Sequence, residues 1–290
     1  MGPTVAILGA NGVYGRHLVP RLVARGHRVR ALVRRPGAAA VAAACGAEIR
    51  TADIFDEASL RSALEGCSIG VNLATSLPGP SGRGDYSAND RLRREGTPLW
   101  VRACVESGVS RILQQSIAMV HGGGGDTWSD EDTPLPPPPP GLVGEAFAAV
   151  LAMEAAVQAS DLDWLVLRGG LFYGPGTGFD EEWRSRALSG KLRLPANADA
   201  YVSLVHVADM AEATANAIDH WPSRQRLIVA DDEPVRWRHL LGHVAASVGA
   251  APPEIGDRPG FPSFRVSNRR ARRALSWAPF YRDYRMGLAT

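Results

Sequence analysis

Short apolar segments alternate with longer segments of helical apolar spacing along the first half of this chain. Short apolar runs are typical of buried strands, whereas apolar residues three and four positions apart line one face of a helix. Strands separated by such helices build β–α–β units with a parallel sheet. The predicted strands are 4–8, 29–33, 48–50, 69–73, 111–115 and 163–167, and the predicted helices are 15–24, 58–64, 96–106 and 144–159.

The regular alternation stops at residues 122–141, and the pattern after residue 171 is less regular. Residues 122–141 carry four glycines, then acidic residues, and then five successive prolines. Proline lacks the N–H that helices and sheet ladders need, so this segment predicts a loop with neither, typical of a lid or a disordered segment. We predict a first unit at 1–168 and a small carboxyl-terminal lobe at 169–290. Residues 227–230 are a candidate for one further strand of the first unit.

Composition excludes several classes of partner and compartment. The net charge of +2 argues against nucleic acid or a membrane surface, because both need a concentrated basic face. The cysteines Cys45, Cys67 and Cys104 are widely spaced and form no CxxC pair, so we expect a reducing compartment and no metal site. No apolar run reaches the length of a membrane span, and the first residues show no leader pattern. These features predict a cytoplasmic protein.

A glycine-rich turn joins the first predicted strand to the first predicted helix. Gly9 permits the tight turn, Gly12 lets the backbone approach a pyrophosphate, and Gly15 lets the helix pack close to the sheet. The free N–H groups at a helix N-terminus bind such an anion. In this strand–turn–helix context the glycines predict a dinucleotide-binding α/β protein with a Rossmann, doubly wound parallel sheet. The residues predicted to contact the dinucleotide are Gly9, Asn11, Gly12, Val13, Tyr14 and Gly15.

The end of the second strand bears on the choice between NAD and NADP. An NAD-binding chain places an acid there for the ribose hydroxyls. Here the position holds Val33, and Arg34 and Arg35 follow it. Two guanidiniums suit a 2′-phosphate, because arginine binds phosphate with a planar fork. We therefore predict NADP(H) as the cofactor, with two ordinary solvated arginines as the alternative.

The spacing GxxGxxG and five later segments resemble the extended short-chain dehydrogenase/reductase family over nearly the whole chain. The segments are TADIFD at 51–56, VNLAT at 71–75, LRGGLFYGPG at 167–176, VHVAD at 205–209, and the closing residues 268–279. In that family the first of these contacts the adenine, the second runs beneath the cofactor, and the third meets the nicotinamide. The resemblance therefore implies further cofactor contacts by Asp53, Ile54, Leu73, Ala74, Thr75, Gly170, Leu171 and Phe172.

The resemblance breaks at the catalytic positions. The family has a serine after its fifth strand and a YxxxK pair on the next helix; the tyrosine protonates the substrate oxygen, and the lysine lowers the tyrosine's pKa. Aligned on these motifs, Ile117 replaces the serine, Ala146 the tyrosine and Val150 the lysine. Lys191 is the one lysine of the chain, and no tyrosine lies four residues before it. The sequence therefore predicts that the triad is absent.

Two polar residues near these positions remain as candidate proton donors. Ser116 offers a hydroxyl near a substrate carbonyl, or alternatively caps the strand end. His121 has a pKa range that suits proton transfer, or alternatively is an ordinary loop residue. The apolar helix at 144–159 favours packing on a second copy, as in a homodimer, or on a large apolar ligand, and the sequence leaves this open.

Three functions fit a cofactor site without a triad. They are an NADPH-dependent ketoreductase, a catalytically silent NADP(H) sensor, and a non-redox relative of epimerases and dehydratases. We favour the ketoreductase, because the cofactor motifs are intact in several separate segments. The chain resembles the atypical ketoreductases of actinobacterial aromatic polyketide pathways, such as those acting on angucyclinones. That resemblance implies an aromatic ketone as substrate, with the proton supplied by the substrate itself.

Overall fold

A parallel sheet of seven strands lies at the centre of the structure, a computed structural model that describes residues 3–77 and 85–288. The sheet order is β12-β7-β5-β4-β1-β2-β3, with every neighbouring pair parallel. The strands in chain order are β1 (Thr4–Leu8), β2 (Arg28–Val33), β3 (Glu48–Thr51), β4 (Ile69–Asn72), β5 (Arg111–Ile117), β6 (Trp128–Ser129), β7 (Asp163–Gly169), β8 (Leu171–Tyr173), β9 (Arg193–Leu194), β10 (Tyr201–Val202), β11 (Leu204–His206), β12 (Gln225–Val229), β13 (Val235–Arg236), β14 (Glu254–Ile255) and β15 (Arg265–Val266).

Helices cover both faces of this sheet. One face buries an apolar cluster against α1 and α8, and the opposite face buries another against α3, α5 and α6. This arrangement confirms the predicted doubly wound α/β fold. The helices in chain order are α1 (Val13–Ala24), α2 (Ala40–Ala44), α3 (Glu57–Leu64), α4 (Tyr86–Arg91), α5 (Thr97–Glu106), α6 (Leu142–Gln158), α7 (Phe179–Leu188), α8 (Val207–His220), α9 (Trp237–Ser247), α10 (Arg269–Ala274) and α11 (Tyr284–Leu288).

Strands β5 and β7 both extend two residues further than the apolar pattern predicts. They pair with each other to their ends, with Ser116 beside Arg168 and Ile117 beside Gly169. The apolar pattern could not indicate this extension, because a polar residue directly follows each predicted strand, Ser116 in β5 and Arg168 in β7. The consequence is that polar side chains enter the sheet next to the predicted site.

The second half of the chain contributes to two different parts of the molecule. Strand β12 pairs with β7 at the sheet edge, and α8 packs on α1. Helices α7, α9 and α11 and the short strands β10, β11 and β13 bury a separate apolar cluster, which forms a carboxyl-terminal lobe. The residues predicted as one lobe at 169–290 are thus divided: some belong to the sheet and its covering helices, and the others form the lobe. The division at residue 168 stays a prediction.

The prediction that residues 122–141 hold no ladder strand is wrong at two residues, since β6 pairs with β15. Further contacts fix the segment along its length: the Gly123 N–H donates to the Ser263 carbonyl at 2.9 Å, and the Ile228 N–H donates to the buried Glu131 carboxylate at 2.8 Å. The residues between the glycines and the prolines contain no proline at β6, so they can form a short strand. Strand β15 pairs with that strand.

Candidate functional site

The turn after β1 has the geometry that a pyrophosphate needs. Gly9 has φ +83°, and a Cβ there would lie 2.9 Å from the Leu73 carbonyl carbon. The Gly12 N–H donates to the Gly9 carbonyl at 3.0 Å, which closes the turn. Helix α1 begins at the next residue, Val13, and no side chain caps its first N–H groups. These groups are therefore free to bind an anion.

The start of α1 packs directly on this turn. A Cβ at Gly15 would lie 2.4 Å from the Ala10 carbonyl oxygen, so only glycine allows the close approach. Tyr14 is buried, its hydroxyl is hydrogen-bonded to Thr214 of α8, and its ring meets Phe172 edge-on at 5.5 Å. Burial raises the pKa of this phenol. The Tyr14 side chain therefore joins two helices, and only its backbone is available to a ligand in the turn.

The side chains predicted for the adenosine half lie beyond β2 and β3. Arg34 and Arg35 are exposed, and neither guanidinium has a hydrogen-bond or ion-pair partner among residues 3–77 and 85–288. The Asp53 carboxylate accepts the Phe55 N–H at 3.0 Å and is partly exposed. Ile54 is buried against Gly96, where a Cβ would approach it to 2.9 Å.

The remaining predicted cofactor residues follow β4 and β7. Asn72 fixes the segment Leu73–Ala74–Thr75, because its amide donates to Gln114 at 3.0 Å and its Oδ1 accepts the Ala74 N–H at 3.0 Å. At the end of β7, a Cβ on Gly170 would lie 2.7 Å from the Ser203 carbonyl oxygen. The next residue, Leu171, donates its N–H to that same oxygen at 2.9 Å.

All of these positions lie where β1, β2, β3, β4 and β7 end. The carboxyl ends of parallel strands meet at one edge of a sheet, and open α/β sheets bind their ligands there. Asn11, also predicted to contact the cofactor, is exposed in the first turn at this edge. Two observations fit a dinucleotide: two glycine cradles that a Cβ would fill, and an uncapped helix start.

Ser116 and His121 belong to one buried polar network with Glu154 and Arg168. The Ser116 hydroxyl donates to Glu154 Oε1 at 2.5 Å. The Arg168 guanidinium donates to both oxygens of Glu154, at 2.9 and 2.6 Å, and through Nη1 to His121 Nε2 at 2.9 Å. Each of the four side chains is buried. The network joins β5, the turn after it, α6 and β7.

Burial and the Arg168 guanidinium together determine the charge and the tautomer of His121. A guanidinium only donates, so His121 Nε2 accepts and the ring proton lies on Nδ1. Burial, together with this neighbouring cation, lowers the pKa of His121 to about 4, which leaves the imidazole neutral at pH 7. The Nδ1 atom is buried and has no hydrogen-bond partner within the part of the chain that the structure describes. A catalytic role for Ser116 or His121 stays a prediction.

Apolar side chains surround the positions that the motif alignment assigns to the family's triad. Ile117 and Val150 belong to one apolar cluster, together with the buried Phe147 and Met153. Ala146 is half-buried on the same helix, α6. The side chains at these positions therefore offer no proton to a substrate.

Glu154 and Arg168 are functional candidates that the sequence motifs do not indicate. The available signal was their charge, since each directly follows a run of apolar residues within its helix or strand. Over residues 3–77 and 85–288, no group of three or more His, Cys, Asp or Glu side chains could hold a metal ion. No helix in those ranges is long and apolar enough to cross a membrane.

Comparison with known proteins identifies the family. Residues 9–220 match the sequence profile of the NAD(P)H-binding family. The chain is 35% identical over 308 residues to a 3-diazoavenalumate denitrifying reductase of Streptomyces sp, with 98% of each chain covered. It is 26% identical over 257 residues to the 4-hydroxy-2-methyl-3-oxo-4-farnesyl-3,4-dihydroquinoline-1-oxide ketoreductase of Stigmatella aurantiaca, covering 87% of this chain and 75% of that one.

Solved structures agree with this assignment. MoeE5 in complex with UDP-glucuronic acid and NAD superposes with a TM-score of 0.81 at 25% identity, covering 99% of this chain and 97% of that chain. The chain therefore belongs to the NAD(P)H-binding family, as an epimerase/dehydratase-like extended short-chain dehydrogenase/reductase. Its sequence relatives include reductases, and the chain belongs to the oxidoreductases.

Proposed function

We propose that this chain is an NADPH-dependent reductase that reduces an aromatic substrate without receiving a proton from α6. The observation that carries the proposal is a contrast within one site. The cofactor cradle at Gly9 and Gly15 is intact, whereas Ile117 and Val150 form an apolar cluster where the family has polar catalytic side chains. When bound, the nicotinamide supplies a hydride. Apolar walls beside it suit a flat ring and exclude water.

An aryl diazo group is the hydride acceptor that best suits such a site. A C–H bond forms from the hydride pair, the C–N bond breaks, and its pair leaves with N₂, so an arenediazonium and NADPH give the arene, N₂ and NADP⁺. No external proton is consumed. For a ketone, by contrast, the missing general acid would cost about 10²–10⁴ in rate. The similarity to a denitrifying reductase over 98% of the chain supports this substrate class.

A ring ketone of an aromatic polyketide, such as an angucyclinone, is the second candidate. The similarity to a ketoreductase supports it. A phenol beside the carbonyl would polarise it through an internal hydrogen bond and share its proton with the developing oxyanion. The protein would then only hold the ketone in line, and positioning alone lowers barriers by up to about 7–11 kcal/mol in the best model systems.

A labelling experiment tests the proposed reaction. We expect the protein and NADPH carrying deuterium at C4 to convert 3-diazo-4-hydroxycinnamate into 4-hydroxycinnamate with deuterium at C3. Proton NMR would locate the label, and gas analysis would give one N₂ for each NADPH oxidised. A reaction without protein corrects for spontaneous loss of N₂.

The outcomes separate the alternatives. Reduction of a peri-hydroxy ring ketone, but neither its O-methyl ether nor the diazo compound, would support the substrate-assisted ketoreductase. Turnover of none of these compounds would contradict the proposal and favour the NADP(H) sensor or the non-redox enzyme. A sensor would instead change its affinity for a protein partner with the redox state of the cofactor.

Cofactor preference gives a second prediction. We expect NADPH to bind at least about tenfold more tightly than NADH, a difference of about 1.4 kcal/mol, because two unpartnered guanidiniums follow β2. Calorimetry on an Arg34→Ala/Arg35→Ala variant should show this preference lost through weaker NADPH binding alone. Arg28, exposed at the opposite end of the same strand, gives the matched control Arg28→Ala, with parental affinities. Equal affinities for the two cofactors in the parent would contradict the assignment.

A further inference from the structure

A basic cavity of about 730 Å³ lies in the carboxyl-terminal lobe, apart from the predicted cofactor residues. Four cationic side chains line it, Arg186, Lys191, Arg193 and Arg258, against one carboxylate, Asp257. This excess of positive charge contrasts with the near-neutral chain as a whole. The cavity includes Lys191, the one lysine of the sequence, to which the cofactor site gives no role.

The cations of the basic cavity are poorly compensated by the protein. The side chains of Lys191 and Arg258 have no hydrogen-bond or ion-pair partner in the described ranges 3–77 and 85–288. Within the described part of the chain, the Arg193 guanidinium donates only to the carbonyl oxygens of Gly190 and Leu192, both at 2.9 Å. Arg186 pairs with Glu182 at 2.5 Å. An anionic ligand would complete these interactions.

The rest of the lining is apolar and aromatic. Trp237 lines the basic cavity together with Leu241 and Phe261, and the rings of Trp237 and Phe261 lie 6.2 Å apart at 42°. The Trp237 indole N–H is buried and lacks an acceptor among the residues that the structure describes. Such a surface suits a flat ring with a polar substituent better than a hydrated sugar.

The basic cavity also reaches the helix that carries the triad positions. Val143, in the first turn of α6, lines the cavity and packs against the apolar cluster that holds Ile117 and Val150. Backbone hydrogen bonds fix another part of the lining. Strand β9 pairs with β14, the Gly256 N–H donates to the Leu194 carbonyl at 2.8 Å, and the segment continues to Arg258. A ligand anchored at the cations could therefore extend along the wall towards α6.

We propose that the basic cavity binds the carboxylate of an aromatic acid. Lys191 and Arg258 pair with the carboxylate, and the apolar surface of Trp237 and Phe261 holds the carbon skeleton. This proposal rests on the proposed function, because it makes the same aromatic acid the compound that is reduced. A phosphate could also pair with these cations, and the UDP-glucuronic acid complex of MoeE5 makes a nucleotide the alternative to test.

Calorimetry on the NADP⁺-loaded protein tests the carboxylate site without turnover. The probes are 4-hydroxycinnamate, its methyl ester and uridine 5′-monophosphate. We expect the acid to bind at least about tenfold more tightly than the ester, since only the acid pairs with two cations. The variant Lys191→Gln/Arg258→Gln should lose this preference through weaker binding of the acid, with the ester unchanged. Arg28→Gln, which removes an exposed arginine remote from the cavity, should bind all three probes as the parent does.

Three results would overturn the proposal: equal binding of acid and ester, undiminished binding of the acid by the double variant, or tighter binding of the nucleotide than of either. The three replaced cations are exposed, and a thermal unfolding scan of each variant would verify that it folds. The outcome of the labelling experiment does not depend on the outcome of this calorimetry. Hydride transfer to a neutral ring ketone, with no discrimination between acid and ester, would overturn the carboxylate site alone.

Discussion

Alanine at position 9 is expected to weaken NADPH binding by about 100-fold or more, which corresponds to about 2.8 kcal/mol. The positive φ of Gly9 already strains any other residue, and its Cβ would lie 2.9 Å from the Leu73 carbonyl carbon and 3.0 Å from the Ala74 nitrogen. The turn must therefore move away from the end of β4. That movement displaces the uncapped start of α1, where the pyrophosphate is predicted to bind.

Gly26 provides a matched control for backbone strain. It has the same φ of +83°, but no atom lies within 4 Å of its added Cβ. Gly26→Ala should therefore cost only the strain of a left-handed residue, about 1–2 kcal/mol of unfolding free energy, and leave NADPH binding unchanged. Calorimetric titration and urea unfolding of both variants would measure the two effects. Similar affinities for Gly9→Ala and Gly26→Ala would show that the close approach to Leu73 is not needed for the cofactor.

The geometry of the glycine-rich turn was predictable because its signals are local. Gly9, Gly12 and Gly15 lie within seven residues, and the steric demand on each comes from a neighbouring turn or strand end. The side chain of Tyr14 shows the limit of such reasoning. Its hydroxyl partner, Thr214, is 200 residues away in the sequence, and no local pattern indicates that the two helices meet.

The buried polar network could not be predicted from the sequence either, because its members are also distant from one another along the chain. Ser116, Glu154 and Arg168 come from three different elements, and only the register of β5 against β7 brings the serine beside the arginine. The motif comparison could therefore place Ser116 next to the catalytic position but could not show that its hydroxyl points to a carboxylate. Similarly, the cations of the basic cavity come from α7, the turn after it, β9 and the segment after β14, which no spacing connects.

Breaking the ion pair at the centre of the network should cause the largest loss of stability. Glu154 and Arg168 are 3% and 1% exposed at their side chains, and Glu154 holds both the guanidinium and the Ser116 hydroxyl. Glu154→Ala leaves the Arg168 charge buried without its partner, which typically costs about 3–5 kcal/mol. The pair Arg91–Glu95 gives a contrast, because its side chains are 60% and 58% exposed. Glu95→Ala should cost about 0.5 kcal/mol or less.

Urea unfolding at pH 7, followed by circular dichroism, would measure both variants against the parent. A double variant distinguishes two causes of lost stability: an unpaired buried charge and the loss of the network's hydrogen bonds. In Glu154→Met/Arg168→Met no unpaired ion remains, and apolar pairs of similar volume often match the stability of the ion pair they replace. We therefore expect the double variant to be more stable than Glu154→Ala, although His121 loses the donor to its Nε2. A cost for Glu154→Ala no larger than for Glu95→Ala would mean that the network does not hold α6 on the sheet.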